Sequence, residues 1–253
     1  MSKNLIYSCV FTNEKYLNLL ELLLKSYIEF GKPDNNIDYL VISNKVYEKK
    51  ILNLFEKYNI RGNIWLISDN SFVTGLCSRL FVFDYKNINN YNKILYLDTD
   101  ILITNNLKNI FNFDMENILY VLKENATTDG PYWGRELFGN NNPKASAFTS
   151  GILLFNNDES IKKLFRDIIN HINYNISNKL VLPHCLDQAF IVYHCVIKKM
   201  YNNEKLIGMV VNNPKKLDKQ IISHFPGGVG HYESKIDKMR QFYNNFLLNK
   251  NVE

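Results

Sequence analysis

Short apolar runs alternate with amphipathic segments through the N-terminal part of the chain, and this alternation limits the available folds more than any other feature. The apolar runs predict strands at residues 4–10, 37–43, 63–68 and 93–97. Between them, helical spacing of apolar side chains predicts helices at residues 14–30, 46–59 and 78–88. This order is typical of a mostly parallel sheet with helices on both faces. Such sheets bind ligands beyond the carboxyl ends of their strands, so we expect an α/β fold with a nucleotide-binding first half.

The second half is less regular. Its apolar runs predict strands at residues 118–123, 148–156, 207–213 and 220–225. Its amphipathic runs predict helices at residues 160–175, 186–196 and 232–249. A polar, aromatic-containing stretch at residues 124–147 is expected to be a long loop, and loops of that length are usually functional or disordered. No linker or repeat is evident, so residues 1–253 are expected to form one domain.

Composition narrows the function classes. The chain has 253 residues, of which 46% are hydrophobic, enough for one sizeable core. The net charge of +5 comes from scattered lysines, whereas nucleic-acid binding needs a denser basic stripe; small anionic ligands fit better. No signal peptide or membrane span is predicted. The four cysteines form no C-x-x-C pair, so we expect reduced thiols and a cytoplasmic location.

The run ILYLDTDILI places two carboxylates, Asp98 and Asp100, inside an apolar segment. Residues i and i+2 of a strand lie on one side, so both side chains are expected to aim at the mouth of the sheet. Two adjacent carboxylates repel each other unless a cation lies between them. Oxygen ligands suit Mn²⁺ or Mg²⁺, which commonly share carboxylates with substrate phosphates. The motif therefore predicts a divalent metal site, although D-x-D also occurs by chance in turns.

Six segments are informative together: CVFTNEKY (9–16), SRL (78–80), KILYLDTDILITNNLKNIF (93–111), FTSGILLFN (148–156), LDQAF (186–190) and HFPGGVGHYESK (224–235). In this order these segments resemble the glycogenin-like glycosyltransferases of family 8, which have a GT-A fold and a D-x-D metal motif. The six segments span nearly the whole chain. The resemblance implies a GT-A (Rossmann-like) domain with a nucleotide-binding half at 1–103 and a sugar and acceptor half at 104–253.

The resemblance also implies the roles of individual residues. Asp98, Asp100 and His224 would bind Mn²⁺ or Mg²⁺, and Asp187, Gln188 and Arg79 would be catalytic. Contacts to the nucleotide sugar would come from Val10, Thr12, Asn13, Tyr16, Arg79, Asp98, Thr99, Asp100, Thr149, Ser150, Asp187, Gln188, His224, Gly227 and Lys235. Within this set, Thr12, Asn13 and Tyr16 would seat the uridine, Asp187 would bind sugar hydroxyls, and Gln188 would lie on the reaction face.

Two positions depart from the family pattern. The family lysine usually follows the histidine by six residues, where this chain has Gly230. Lys235, the nearest later lysine, or His231 would then supply the phosphate contact, and the sequence leaves this choice open. The family asparagine before Ser-Gly is Thr149 here, which would alter contacts to the transferred sugar. Gly227, Gly228 and Gly230 would let backbone N–H groups approach phosphates.

The expected function is retaining transfer of a hexose, most readily glucose, from a UDP-sugar to an unidentified glycan, protein or lipid acceptor. A glycogenin-type self-glucosylating protein and a non-catalytic nucleotide-sugar or glycan-binding protein stay open. A haloacid-dehalogenase-type phosphatase also uses D-x-D, but normally on its first strand, and here the motif follows the fourth. The family resemblance leaves a homodimer open.

Overall fold

Two sheets organise the part of the chain that the computed structural model describes, which comprises residues 3–69, 71–227 and 231–248. The strands are β1 (Lys3–Val10), β2 (Ile37–Ser43), β3 (Gly62–Leu66), β4 (Tyr91–Leu97), β5 (Ile101–Ile103), β6 (Leu119–Thr127), β7 (Ser146–Asn156), β8 (Tyr201–Asn202), β9 (Val210–Asn212) and β10 (Ile222–His224). The helices are α1 (Lys15–Glu29), α2 (Glu48–Lys57), α3 (Phe72–Cys77), α4 (Lys108–Phe111), α5 (Arg135–Phe138), α6 (Glu159–Ser177), α7 (Leu186–Lys198) and α8 (Tyr232–Phe242).

The larger sheet has the order β3-β2-β1-β4-β7-β6-β8. Strands β3, β2, β1 and β4 are parallel neighbours, whereas β7 runs antiparallel to both β4 and β6. After β1 the chain builds outward to β2 and β3 and then returns to the other side of β1 as β4. This reversal creates a crevice at the carboxyl ends of β1 and β4, where sheets of this kind bind ligands. The predicted mixed, mostly parallel α/β sheet is confirmed.

Helices cover both faces of the large sheet because its central strands are apolar on both sides. On one face, α1 and α2 bury Leu20, Leu23 and Phe55 against β1 and β2. On the other face, α6 and α7 bury Phe165 and Phe190. A smaller cluster joins α1 to α8. The smaller sheet, in the order β5-β10-β9, extends from the end of β4.

The predicted loop at residues 124–147 is too long. Strand β6 continues to Thr127, β7 already begins at Ser146, and α5 lies between them. The polar run Lys123–Thr127 hid this extension, because its residues alternate between exposed and half-buried. A strand that presents one face to solvent does not need apolar residues there.

Several predicted boundaries also change. The helix predicted at residues 78–88 is a 3₁₀ segment over Ser78–Asp84 that follows α3. The strands predicted at 207–213 and 220–225 shorten to β9 and β10. Strand β9 starts late because Gly208 adopts φ +82 and turns the chain just before it. The closing helix ends at Phe242 and continues as a π-helical turn over Tyr243–Leu247.

Candidate active site

The candidate site lies where β4 ends, beside the end of β1. Asp98, Thr99 and Asp100 form a bend between β4 and β5, and not a continuation of the strand as the i, i+2 argument assumed. Backbone hydrogen bonds fix this bend: Asp98 N donates to Gly151 O at 2.8 Å, and Phe225 N donates to Asp100 O at 2.9 Å. Both carboxylates converge because neighbouring strands hold the turn on each side. Thr99 is buried between them.

His224 joins the two carboxylates from the last strand of the small sheet. Register places His224 opposite Ile101, the residue that follows Asp100. Its Nε2 lies 3.4 Å from Asp100 Oδ1, and ligand atoms of Asp98, Asp100 and His224 all lie within 4.8 Å of one another. The predicted metal-ligand set is therefore brought together by residues more than a hundred positions apart in the chain.

The space among these three side chains depends on Gly151. A Cβ at this position would lie 3.0 Å from both Asp98 Oδ2 and His224 Nε2, so any larger residue would enter the space between the ligands. Asp100 Oδ1 is buried and has no hydrogen-bond partner. Carboxylate oxygens with one imidazole nitrogen suit a divalent ion such as Mn²⁺. The open cradle and the unsatisfied oxygen therefore fit a bound cation.

Lys235, from the first turns of α8, also reaches this cluster. Its Nζ donates to Asp100 Oδ2 at 2.6 Å. Burial raises the pKa of the Asp100 carboxyl, but His224 and Lys235 outweigh it and hold this pKa well below the ordinary value. Asp100 is thus an anion in the ligand-free protein, with an ammonium group as counter-charge.

Arg79 connects the D-x-D bend to α7. Its Nη1 donates to Ser150 O at 2.7 Å and lies 3.4 Å from Asp98 Oδ1. Its Nε lies 2.8 Å from Asp187 Oδ2 without the alignment of a hydrogen bond. Burial lowers the pKa of Arg79, but Asp187 and Asp98 raise it further, so the guanidinium stays charged.

Asp187 is buried in the first turn of α7, where a helix favours negative charge. Burial raises its pKa from 3.8 to about 6; Arg79 lowers this pKa and Asp98 raises it. Gln188 follows, and its Oε1 accepts hydrogen bonds from Ser150 N at 3.2 Å and Ser150 Oγ at 3.3 Å. Arg79, Ser150, Asp187 and Gln188 therefore form one connected polar wall beside the carboxylates.

The predicted uridine segment follows β1 at the same edge of the sheet. Val10 is fully buried, and its carbonyl accepts from Ser43 Oγ at 2.7 Å. Thr12 is exposed with φ +61, and Asn13 Oδ1 accepts from Lys15 N at 2.9 Å. The ring of Tyr16 lies edge-on to Tyr232, 4.9 Å between centroids. Burial raises the pKa of Tyr16, and Asp98 and Asp100 add to this effect.

The remaining predicted residues lie around this wall and α8. The Thr149 hydroxyl accepts from Gly151 N at 3.2 Å, so it turns back onto its own strand. A Cβ at Gly227 would approach Lys235 Cε at 3.1 Å, which places this glycine against the lysine. His231 is exposed at the start of α8. Gly228 and Gly230 lie outside the described residues.

Four residues that sequence reasoning did not assign complete the site. Gly151 leaves the cradle open, and the Tyr96 hydroxyl donates to Asp98. Asn212 Oδ1 lies 2.7 Å from His224 Nδ1, and Asn212 Nδ2 donates to Glu124 Oε1 at 3.0 Å. Gly151 stood inside a segment already matched to the family. No sequence pattern marks Asn212 or Glu124 as a site residue, because a single sequence does not show that β6 and β9 come close together.

A comparison with protein-family models matches residues 5–230 to "Glycosyl transferase family 8". The chain belongs to glycosyl transferase family 8. Family membership confirms the resemblance drawn from the six segments. It also removes the phosphatase that the D-x-D pattern left open.

Solved structures agree on the GT-A fold of this family 8 chain. The WbbM bifunctional glycosyltransferase in its apo form has a TM-score of 0.63 at 18% identity, covering 97% of this chain but only 52% of that one. The galactosyltransferase LgtC, in complex with donor and acceptor sugar analogues, has a TM-score of 0.62 at 17% identity over 94% of this chain and 96% of LgtC. Mouse xyloside xylosyltransferase 1, in its apo form, has a TM-score of 0.55 at 12% identity, covering 88% of this chain and 97% of that one.

The chain thus spans about half the length of WbbM. No curated protein matches the sequence of this chain. Within the described ranges, none of the helices combines the length and apolar character needed to cross a bilayer.

Proposed function

We propose that this family 8 chain is a retaining hexosyltransferase that transfers a hexose, most readily glucose, from a UDP-sugar in a reaction dependent on Mn²⁺ or Mg²⁺. The observation that carries the proposal is the cluster of Asp98, Asp100 and His224, with ligand atoms within 4.8 Å of one another. It opens at the carboxyl ends of β1 and β4, and Gly151 keeps its centre clear.

Breaking the bond between a sugar and UDP leaves negative charge on the diphosphate. A divalent ion held by Asp98, Asp100 and His224 would supply positive charge to that leaving group. Lys235 Nζ already donates a hydrogen bond to Asp100 at this site, so the chain itself supplies a second positive charge. Charges fixed before the reaction cost no reorganisation as the new charge develops.

The wall formed by Arg79, Ser150, Asp187 and Gln188 would hold the transferred sugar. The carboxyl oxygens of Asp187 and the amide oxygen of Gln188 accept hydrogen bonds from sugar hydroxyls, and Arg79 fixes the position of Asp187. Gln188 Nε2 donates to Tyr132 O at 3.2 Å, so the loop before α5 is tied to this wall. The ring of Tyr132 is 45% exposed and offers an acceptor sugar a face for stacking.

We also propose different roles for the two halves of the chain. Residues 1–103 would seat the nucleotide through Thr12, Asn13 and Tyr16, and residues 104–253 would supply the sugar and acceptor contacts. The acceptor is a glycan, a protein or a lipid, and self-glucosylation is one form of the same chemistry. A cytoplasmic location is supported by four cysteines that form no disulfide, and a homodimer stays a prediction.

The test is UDP-sugar hydrolysis with Mn²⁺, measured on UDP-glucose, UDP-galactose and UDP-xylose, together with intact mass before and after incubation. Asp98→Asn and Asp100→Asn should each lower turnover by about 100-fold or more, as losing transition-state charge stabilisation does. Asp237→Asn, an exposed position on α8, is the matched control and should behave as the parent. Turnover in both site variants equal to the parent's would contradict the proposal.

A further inference from the structure

A hydrogen-bonded chain of three side chains stands behind the candidate metal cluster. Strands β9 and β10 are parallel, and their register places Asn212 directly beside His224. Asn212 Oδ1 is 2.7 Å from His224 Nδ1. On its other side, Asn212 Nδ2 donates to Glu124 Oε1 at 3.0 Å. The neighbouring strands β9 and β10 therefore meet β6, which is remote from them in sequence, in one relay.

Chemistry fixes the direction of every bond in this relay. A glutamate carboxylate only accepts hydrogen bonds, so the amide nitrogen of Asn212 must face Glu124. The amide oxygen then faces His224, and an amide oxygen also only accepts. The proton of a neutral His224 ring must therefore be on Nδ1, the nitrogen that faces Asn212.

This tautomer leaves the lone pair on His224 Nε2. Nε2 is the ring nitrogen that faces the cluster, 3.4 Å from Asp100 Oδ1 and 3.0 Å from where a Cβ of Gly151 would lie. The opposite tautomer would direct an N–H at the cradle and could not bind a metal ion. Selecting the tautomer of a ligating histidine through its other nitrogen is an established way to tune a metal site.

We infer that Asn212 and Glu124 are positioning residues that hold His224 as the Nδ1–H tautomer and so keep Nε2 free for a divalent cation. The part that concerns the cation rests on the proposed function. The part that concerns the tautomer does not, because it is a property of the metal-free protein.

The first measurement is therefore nitrogen-15 NMR of the histidine rings in metal-free protein, at about pH 8, well above the ordinary histidine pKa of about 6.5. The parent should show His224 protonated on Nδ1. Asn212→Leu, which keeps the branching of the side chain at Cγ and removes both hydrogen bonds, should shift His224 towards the Nε2–H tautomer. Asn213→Asp, at the exposed neighbouring position, is the control and should leave the tautomer unchanged.

The second measurement is Mn²⁺ affinity by calorimetry on the same proteins. Asn212→Leu should bind Mn²⁺ about 10–100-fold more weakly, the usual cost of losing the partner of a ligating histidine. The double variant Glu124→Gln with Asn212→Asp reverses the polarity of the relay: the glutamine amide donates, and the new carboxylate accepts from Nδ1. It should retain the Nδ1–H tautomer and bind Mn²⁺ nearly as tightly as the parent.

A leucine variant that keeps both the tautomer and the affinity of the parent would overturn the inference. So would a shifted tautomer with unchanged affinity, since Nε2 would then not be the ligand atom. If Asn212→Leu does not fold, Glu124→Met replaces it, because Asn212 is then free to turn its amide and should allow both tautomers. If the parent itself binds no Mn²⁺, the proposed function fails, while the NMR result still decides the role of the relay.

Discussion

The two halves of the sheet contribute to the site in different ways. Strands β1 to β4 are parallel, with helices α1 and α2 joining the first three, and they deliver Asp98 and Asp100 at the end of one central strand. The later strands are antiparallel or short, yet they and the helices around them deliver Asp187, His224 and Lys235. The regular half thus provides a floor of parallel strands that ends in two carboxylates, and the irregular half provides most of the side chains that form walls around them.

The contrast shows which parts of the sequence determine the detailed geometry of the site. A floor of parallel strands needs only apolar residues at a regular spacing, so many sequences can build it. The walls depend on single contacts, such as Arg79 with Asp187 or Asn212 with His224. Changing one of those contacts should therefore affect one wall and leave the floor intact.

The largest expected effect tests the contact that joins the halves. Arg79→Met leaves the carboxyl of Asp187 buried without its cation, which should lower the free energy of unfolding by about 3–5 kcal/mol. Urea unfolding at neutral pH measures this change. Arg135→Met, on an arginine whose side chain is 58% exposed, is the matched control and should change little.

The stability lost in Arg79→Met should also depend on pH, and the pKa of Asp187 determines the sign of that dependence. The pKa of Asp187 is already raised from 3.8 to about 6, chiefly by burial, and Arg79 is the charge that lowers it. Without Arg79 this pKa rises further, so the contribution of protonated Asp187 to the stability of the variant is fully present below about pH 4 and is lost as the pH rises through a folded-state pKa above 6. A deficit that stays constant between acidic and neutral pH would show that Asp187 does not carry the effect.

The next effect is confined to the metal cradle. Gly151→Ala places a methyl group 3.0 Å from Asp98 Oδ2 and His224 Nε2. Overpacking of this kind costs about 1–3 kcal/mol, so Mn²⁺ binding measured by calorimetry should weaken by about 10–100-fold. Gly227→Ala is the comparison, because its tightest contact, at 3.1 Å, is with Cε near the movable end of Lys235. Equal Mn²⁺ affinities in the two variants would contradict the role given to Gly151.

The smallest effect lies in the irregular half but away from the site. His194 on α7 is hydrogen-bonded to His171 on α6 at 3.1 Å between ring nitrogens. The pKa of His194 is lowered from 6.5 to about 4, chiefly by burial and also by His171 and Lys198, whereas Asp167 opposes this shift. Its contribution to stability is present above pH 6.5 and is lost as the pH falls towards 4.

Between pH 7 and pH 4, the midpoint temperature of thermal unfolding should therefore fall less steeply in His194→Gln than in the parent. The difference should stay below about 1 kcal/mol, since solvent screens partly exposed charges. His184→Gln, at an exposed histidine, should follow the parent curve. If His194→Gln loses stability with falling pH as steeply as the parent, His194 does not contribute to the acid sensitivity of the protein.

Sequence reasoning predicted the floor well for a physical reason. Buried parallel strands and their covering helices leave a local periodic pattern, so β1, β2, α1 and α6 lie close to their predicted positions. The D-x-D pair was also visible, because charge inside an apolar run needs an explanation. The resemblance to family 8 supplied His224, Asp187 and Arg79, and the structure brings these residues to one place.

The walls were less predictable because their contacts are not local. Short strands such as β9 and β10 carry too few residues to display a period, and the polar end of β6 looks like a loop. Asn212 is one asparagine among many in this chain, and only the pairing of β9 with β10 gives it a partner. Gly151 lies inside a predicted strand, and only the structure shows that a Cβ there would lie 3.0 Å from Asp98 Oδ2 and His224 Nε2.

The pairing of Lys235 with Asp100 makes the cluster partly self-neutralising before any ligand arrives. An incoming divalent ion would therefore exchange with an ammonium group instead of entering a bare anionic hollow. The displaced lysine would then need another anion within reach, and a diphosphate is one. Binding of the ion and binding of the nucleotide would thus reinforce each other, while the empty protein avoids the repulsion that an uncompensated pair of acids would impose on its folding.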